Sequence, residues 1–221
     1  MEQAQSPRLA DPGSPAFFLG NNAALDFLNS IASPADVPIE WLGNGEAFIG
    51  WLHQAHLVPE DALRALSDKA GPGELEAVAG QARALREWFR GFVHKHRGKP
   101  LSGTALEELE PVNQILARDE RYGQVVFAGN RQENPSPLIW VEKRRWRTSD
   151  SLLIPIAEAM ARLVSEEDFA DLKACEGHVC SLLFLDKTPR RARRWCSMAI
   201  CGNRAKVAAF RARGNGRVKA V

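Results

Sequence analysis

The four cysteines of this 221-residue chain are the feature that most restricts how it can fold. They are Cys175, Cys180, Cys196 and Cys201, all within 27 residues near the C-terminus. Four residues separate the members of each pair, and fifteen residues separate the pairs. Such paired spacing is typical of a structural Zn²⁺ site, in which each turn supplies two thiolate ligands. The sequence therefore predicts one tetrahedral zinc site, with two disulfides or buried free thiols as the alternatives.

The charge of the chain is divided unevenly along its length. Eleven Lys or Arg residues and no Asp or Glu lie between Lys187 and Val221. This leaves 18 basic and 27 acidic residues in 1–186, a net charge of −9, although the whole chain carries +2. A segregated cationic segment indicates polyanion binding. The alternatives are a solvated tail and a segment whose charge offsets a zinc–tetrathiolate centre.

Composition and hydrophobic pattern predict the fold class. With 45% hydrophobic residues the chain is able to bury a sizeable core. It has neither an apolar run long enough for a membrane span nor the pattern of a signal peptide, so we expect a cytoplasmic protein with reduced cysteines. We expect an α+β fold, mainly helical with a small antiparallel sheet, plus a C-terminal treble-clef-like zinc finger. The expected parts are a disordered leader at 1–15, a body at 16–168, the finger at 169–214 and a basic tail at 215–221.

Hydrophobic periodicity predicts the elements of the body. A short strand at 17–20 is expected before a helix that Asn21 or Asn22 caps and that runs to about Ser30. Further helices are predicted over 45–56, 59–69, 74–96, 104–118 with a break at Pro111, and from 149 or 150 to about 164. Two β-rich runs, 122–128 and 138–146, are expected to pair as antiparallel strands across a polar loop at 129–137.

The finger is expected to begin with a cysteine turn and a hairpin. Its strands are predicted at 181–186 and 192–195, with a turn around Pro189, and a helix over 202–213 follows the second cysteine pair. The order of turn, hairpin and ligands at a helix start is that of a treble clef. His178, inside the first pair, is an alternative ligand.

These residues resemble a known family, the CGNR zinc finger. The resemblance covers 172–213 and rests on both cysteine pairs, Phe184, Asp186, the run Arg194-Trp195-Cys196-Ser197-Met198 and the sequence Cys201-Gly202-Asn203-Arg204. The body resembles the ABATE domain, mainly through GNNAALDFLNS at 20–30, in which Ser30 replaces the usual Thr. The resemblance implies a bacterial transcription regulator with a DNA-binding treble-clef finger.

Several basic residues of the finger are candidates for nucleic-acid contact. They are Arg190, Arg191, Arg193, Lys206, Arg211 and Arg213. A structural role beside the metal is expected for Asp186, Arg194, Trp195 and Arg204, with the two arginines bonding Asp186 or cysteine sulfurs. On a helical wheel of 202–213, Val207 and Phe210 are expected to pack on the hairpin and the metal site. The alanine face between the basic ridges would then approach a duplex.

The motifs of several common enzyme classes are missing from the sequence. It contains no P-loop, GxSxG, HExxH or GxGxxG pattern, so it does not support an enzyme. The expected partners are DNA and a small-molecule or protein effector, with no membrane and with a homodimer left open. The alternative function is a zinc-dependent protein- or RNA-interaction module. Asp26 and Asn29 mark a candidate ligand pocket, with helix capping and packing as the competing role.

Overall fold

A computed structural model describes residues 7–10, 14–33, 37–127 and 137–217, with side chains described as far as Arg213. Most of the expected leader, nearly all of the loop at 129–137 and the end of the basic tail lie outside these ranges. In the described part of the leader, β1 (Arg8–Leu9) pairs with a strand of the body. These two residues are therefore ordered, although the sequence predicted disorder for the whole leader. This pairing gives backbone groups of β1 hydrogen-bond partners; for example, the Arg8 N–H donates to the Pro38 carbonyl at 2.8 Å.

The predicted body helices are confirmed with small shifts at their ends. They are α1 (Ala23–Leu28), α2 (Gly45–Gln54), α3 (Glu60–Lys69), α4 (Glu74–His96), α5 (Glu110–Leu116) and α6 (Ile154–Glu166). Asn22 caps α1 by accepting from the Ala24 N–H. The break expected at Pro111 is present, because a 3-10 helix at Gly103–Leu109 ends where α5 begins. A second 3-10 stretch, Ser149–Leu153, leads into α6.

Three small sheets accompany the helices in the described ranges. β2 (Ile31–Ala32) runs antiparallel to β3 (Ile39–Glu40), which also pairs with β1 in parallel. The predicted antiparallel pair is confirmed as β4 (Arg121–Phe127) and β5 (Leu138–Arg144). The finger contributes β6 (Leu172–Ala174) and β7 (Leu183–Leu185), also antiparallel.

Two expected strands do not form. Residues 17–20 are irregular, and Phe17 instead packs edge-on against Trp41 with ring centroids 5.2 Å apart. In the finger, residues 192–195 are irregular as well, and β7 pairs with β6 from before the first cysteine. The hairpin prediction was therefore wrong about the partner strand. The backbone of 192–195 is used elsewhere: the Arg194 carbonyl accepts from Glu176 N and Arg193 N donates to Asp186.

The hydrophobic core centres on α4 and continues without a break into the finger. Its fully buried residues include Phe27, Phe48, Trp51, Phe89, Phe169 and Phe184. A buried ion pair crosses the body, where the Arg86 guanidinium donates to both carboxylate oxygens of Glu40 at 2.6 and 2.7 Å. Arg86 also donates to the Ser30 hydroxyl, so α4, β3 and the end of α1 are held together.

Candidate metal centre and basic finger

The four cysteine sulfurs meet at one point of the finger. All four Sγ atoms lie within 4.8 Å of one another, with Cys196 3.8 Å from Cys180 and 3.5 Å from Cys201. Tetrahedral zinc with bonds of about 2.3 Å holds its sulfurs about 3.8 Å apart, whereas disulfide sulfurs lie about 2 Å apart. All four thiols are unbridged. The cluster therefore fits one Zn²⁺ ion, and among the described residues His178 is not part of it.

The two cysteine turns give the sulfurs this position. A Cβ atom on Gly177 would lie 3.1 Å from the Cys201 sulfur and 3.0 Å from the Cys180 Cβ, so a side chain here would crowd the cluster and glycine suits the first turn. Backbone N–H groups of Gly177 and Cys196 donate to the Cys175 sulfur at 3.4 and 3.3 Å. Such donors stabilise a thiolate and orient it. The second turn leads through a π-helical turn, Met198–Gly202, into α7 (Asn203–Arg217).

The titration of the thiols agrees with a cation-binding cluster. Hydrogen bonding with Cys196 lowers the pKa of Cys180 to about 5. The same hydrogen bond raises the pKa of Cys196, and burial raises that of Cys201 to about 12. Four crowded thiols cannot all ionise by themselves, and a divalent cation supplies the charge that allows it. The donor set therefore suits one structural Zn²⁺ ion.

Asp186 organises the turn between the cysteine pairs. Its fully buried carboxylate accepts from the Lys173 ammonium at 2.7 Å, the Thr188 hydroxyl at 2.6 Å and the Arg193 N–H at 2.9 Å. Burial alone would raise the pKa of this carboxyl, but these hydrogen bonds outweigh it and hold the pKa well below its usual range. Asp186 thus fixes the turn between the cysteine pairs, and its structural role beside the metal stays a prediction.

Several arginines expected to contact nucleic acid or the cluster bind the protein itself. Arg193 lies 4.1 Å over the Phe184 ring and donates to the carbonyls of Trp195 and Cys196. Arg191 pairs with Asp171 at 3.1 Å.

Arg194 was expected to bond Asp186 or a cysteine sulfur. Instead it pairs with Glu176 at 2.6 Å and lies 5.1 Å over the Trp195 ring. Trp195 itself is half-buried and lines a cavity of about 340 Å³ together with Cys180 and Cys201. Its packing role stays a prediction.

The face of α7 that lies towards the metal site is the alanine face, not the expected face with Val207 and Phe210. Ala205 and Ala208 line the cavity beside Cys180, whereas Val207 and Phe210 are 49% and 76% exposed. The expected packing of Val207 and Phe210 on the metal site was therefore wrong.

The remaining candidate cations lie on the surface. Arg190, Lys206, Arg211 and Arg213 are exposed, and so is Arg204. Lys187, Arg191 and Arg194 of the same segment form ion pairs with Glu167, Asp171 and Glu176. Along α7, Arg204 and Arg211 line a shallow groove with Asn203 and Val207. The outward face of α7 is thus apolar in the middle with cations along both sides.

Comparison with protein families identifies the body. The model of the ABATE family, described as "Putative stress-induced transcription regulator", matches residues 21–167, about two thirds of the chain. The chain belongs to the ABATE family. The model of the CGNR zinc finger matches residues 172–214, which confirms the expected order and the structural zinc. Neither is an enzyme family. Among curated proteins the chain has no match.

The ABATE body and the CGNR finger are joined through α1. Asn29, expected to line a ligand pocket, is fully buried, and its amide exchanges two hydrogen bonds of 2.9 Å with the backbone of Leu183 in β7. Beside it the Leu185 N–H donates to the Gly20 carbonyl at 2.8 Å. The pocket interpretation of Asn29 is replaced by a joint between the two parts. Sequence analysis missed this joint because its partners are 154 residues apart.

Asp26 holds the loop that reaches the finger. Its carboxylate accepts from the Gly20 N–H at 2.7 Å. Burial raises the pKa of Asp26 to about 6, although backbone hydrogen bonds from Gly20 and Leu19 oppose the shift. Asp26 therefore positions the Gly20 loop, which in turn pairs with β7.

Within the described ranges, no helix combines the length and hydropathy that a bilayer crossing requires.

Proposed function

We propose that the protein is a transcription regulator whose finger at 169–214 binds DNA and whose body at 16–168 senses a ligand or a partner protein. In this proposal it works by binding rather than by catalysis, at the nucleoid in the cytoplasm. The observation that carries the proposal is the outward face of α7. There, cations lie on both sides of an exposed apolar pair, on a helix that begins directly after the second cysteine turn.

The side chains of α7 match the chemistry of a duplex groove. Lys206 and Arg213 are seven residues apart and follow one side of the helix, while Arg204 and Arg211 follow the other. An α-helix fits the major groove, where such cations reach the phosphates on either side. Phe210 lies between the two ridges, and an apolar side chain at this place is able to contact a thymine methyl group.

The structure changes which residues we assign to phosphate contact. Arg190, Lys206, Arg211 and Arg213 remain in the proposal because their side chains are exposed. Arg191 and Arg193 are removed from it because their guanidinium groups bind Asp171 and backbone carbonyls. Their substitution would disturb the finger rather than delete a phosphate contact.

The test is the salt dependence of duplex binding by the zinc-loaded chain. Each lost phosphate contact reduces the slope of log affinity against log salt by about 0.9. We expect this reduction for Arg190→Ala, Lys206→Ala and Arg211→Ala, measured by fluorescence anisotropy. Arg162→Ala is the matched control, because Arg162 is an exposed cation of α6 that pairs with Glu158 and Glu166. Absence of duplex binding, or a slope that the three finger variants leave unchanged, would refute the proposal.

We propose a cleft of the body as the effector site. It has a volume of about 710 Å³ and lies between α3 and the β4–β5 hairpin, with Tyr122, Trp146 and Arg144 on its wall. This volume is within the range of small-molecule sites. A thermal-shift screen of small molecules tests it, with loss of the shift expected in Tyr122→Ala. If small molecules that raise the melting temperature of the unchanged chain raise that of Tyr122→Ala equally, the effector binds elsewhere.

A second candidate function is a protein-interaction module. The exposed apolar pair Val207 and Phe210 favours it, because a protein partner would bury this pair. One experiment distinguishes the two candidate functions. A zinc-loaded chain that binds no duplex but co-purifies with a protein, which Phe210→Ala then loses, would select the interaction module.

A further inference from the structure

The β4–β5 hairpin presents a continuous apolar face to solvent. Val125 lies opposite Trp140 and Phe127 lies opposite Leu138 in the strand register. Alternation along each strand places all four side chains on the same face. Their exposed fractions are 57–66%, whereas Val126 and Ile139 on the other face are half-buried. The exposed side chains Val125, Phe127, Leu138 and Trp140 are called the hairpin patch below.

The hairpin patch is large for a soluble protein. From the exposed fractions, its side chains present about 500 Å² of apolar surface, near the top of the range for the largest patch on a monomer. The Trp140 indole lies across the hairpin over Gly123, in the space that a side chain at Gly123 would need. A large exposed aromatic side chain is the kind of residue that dominates binding energy at interfaces.

The charges around the hairpin patch favour a neutral partner. On the same face at the base of the strands, Arg121 and Glu142 form an ion pair of 2.9 Å. Arg121 also pairs with Asp119 and Glu158, so its charge is balanced within the protein. A polyanion or a strongly charged peptide therefore gains little binding free energy at the hairpin patch. A partner surface that is equally apolar gains the most.

We propose that the hairpin patch is the surface through which two copies of this chain form a symmetric dimer. In a two-fold arrangement each patch covers the other, so that apolar side chains meet apolar side chains. Two patches together bury about 1,000 Å², the lower limit for a specific interface. If the finger binds DNA as proposed above, the dimer carries two fingers to two half-sites, but the pairing itself does not depend on DNA.

The test is sedimentation equilibrium of the full zinc-loaded chain without DNA, over about a hundredfold range of concentration. We expect a concentration-dependent dimer. Phe127→Asp and Val125→Lys are each expected to raise its dissociation constant at least about 30-fold, the effect of losing an interface hot spot. Leu106→Asp is the matched control, since Leu106 is an equally exposed apolar residue on the 3-10 helix at Gly103–Leu109. We expect it to leave the dissociation constant unchanged.

Hydrogen exchange of the unchanged chain makes the test independent of how the variants fold. Protection of 121–127 and 138–144 should rise with protein concentration. A chain that stays monomeric throughout, or a dimer that survives both patch changes, would overturn the proposal. So would protection that is the same at every concentration, because the connecting residues 128–136 of the same chain would then be the cover. None of these results bears on DNA binding, so the two proposals fail separately.

Discussion

Asn29 and Leu183 form a miniature strand pairing between the body and the finger. The Asn29 amide donates to the Leu183 carbonyl and accepts from its N–H, both at 2.9 Å and both buried. A side-chain amide presents a donor and an acceptor in the same arrangement as a backbone peptide. Asn29, the residue directly after α1, therefore completes the edge of β7 on the side away from β6.

Asn29→Ala should weaken the joint between the body and the finger. The change leaves two buried backbone groups of Leu183 without partners, which costs about 2–4 kcal/mol of unfolding free energy. Urea denaturation followed by far-UV circular dichroism measures it. Asn203→Ala is the control, because Asn203 is an exposed residue whose side-chain amide donates to a carbonyl one turn back in the chain. A loss no larger than that of the control would mean that the joint contributes little.

Zinc removal should destabilise α1 as well as the finger. A structural zinc ion contributes most of the folding free energy of a small finger, so chelation or Cys201→Ser is expected to unfold about 172–213. The body is expected to remain folded. However, β7 is fully buried against α1, so its loss exposes Leu25 and Leu28 and removes the partner of Asn29.

Hydrogen-exchange mass spectrometry with and without chelator locates this effect. Protection should fall in the finger and in 20–30, while α4 keeps its protection. Ser197→Ala, next to a ligand but not one itself, is expected to leave the pattern as in the unchanged chain. Full protection of 172–213 after verified metal loss would contradict the structural role of zinc.

Asp186→Asn should destabilise the finger and change its response to acid. The neutral amide no longer balances the Lys173 ammonium, and we expect a loss of about 2–3 kcal/mol. The folded-state pKa of Asp186 lies below its unfolded value, so its stabilisation is present above about pH 4 and is lost as the pH falls towards the folded pKa. The difference between the two proteins should therefore shrink below pH 4. A difference that stays constant down to pH 2 would show that the carboxylate charge is not responsible.

Asp26→Asn should change the pH dependence of stability in the opposite sense to Asp186→Asn. Burial raises the folded-state pKa of Asp26 to about 6, so its stabilisation is complete below about pH 4 and is lost as the pH rises through 6. The asparagine keeps an acceptor for the Gly20 N–H without the charge. Thermal unfolding between pH 4 and 7 should show the unchanged chain losing stability relative to Asp26→Asn as the pH rises. Parallel stability curves would exclude an elevated pKa.

Local patterns in the sequence were sufficient for the body helices and the metal cluster. The bounds of α4 at Glu74–His96 follow from apolar residues three or four apart, and the start of α1 follows from the cap at Asn22. The cysteine pairs are equally local, because each turn of C-x4-C brings its own two sulfurs together. Such features depend on backbone geometry over a few residues, which is why they are visible without the fold.

The finger shows where this local information ends. Strand β7 has two candidate partners of similar pattern, 172–174 and 192–195, and only the fold selects the first. The roles of Arg191 and Arg193 likewise depend on where Asp171 and Phe184 lie in space. A run of arginines therefore indicated a polyanion site, but it did not show which of them face solvent.

By itself, the sequence determined a helical body, a four-sulfur cluster and a cationic C-terminal segment, because each depends on residue type and short-range spacing. The tertiary structure decided that Asn29 binds Leu183, that α7 turns its alanines towards the metal and leaves Phe210 in solvent, and that body and finger share one core. The physical reason is that burial and hydrogen-bond pairing between residues far apart in the chain depend on competition among many contacts. Only the folded chain resolves that competition.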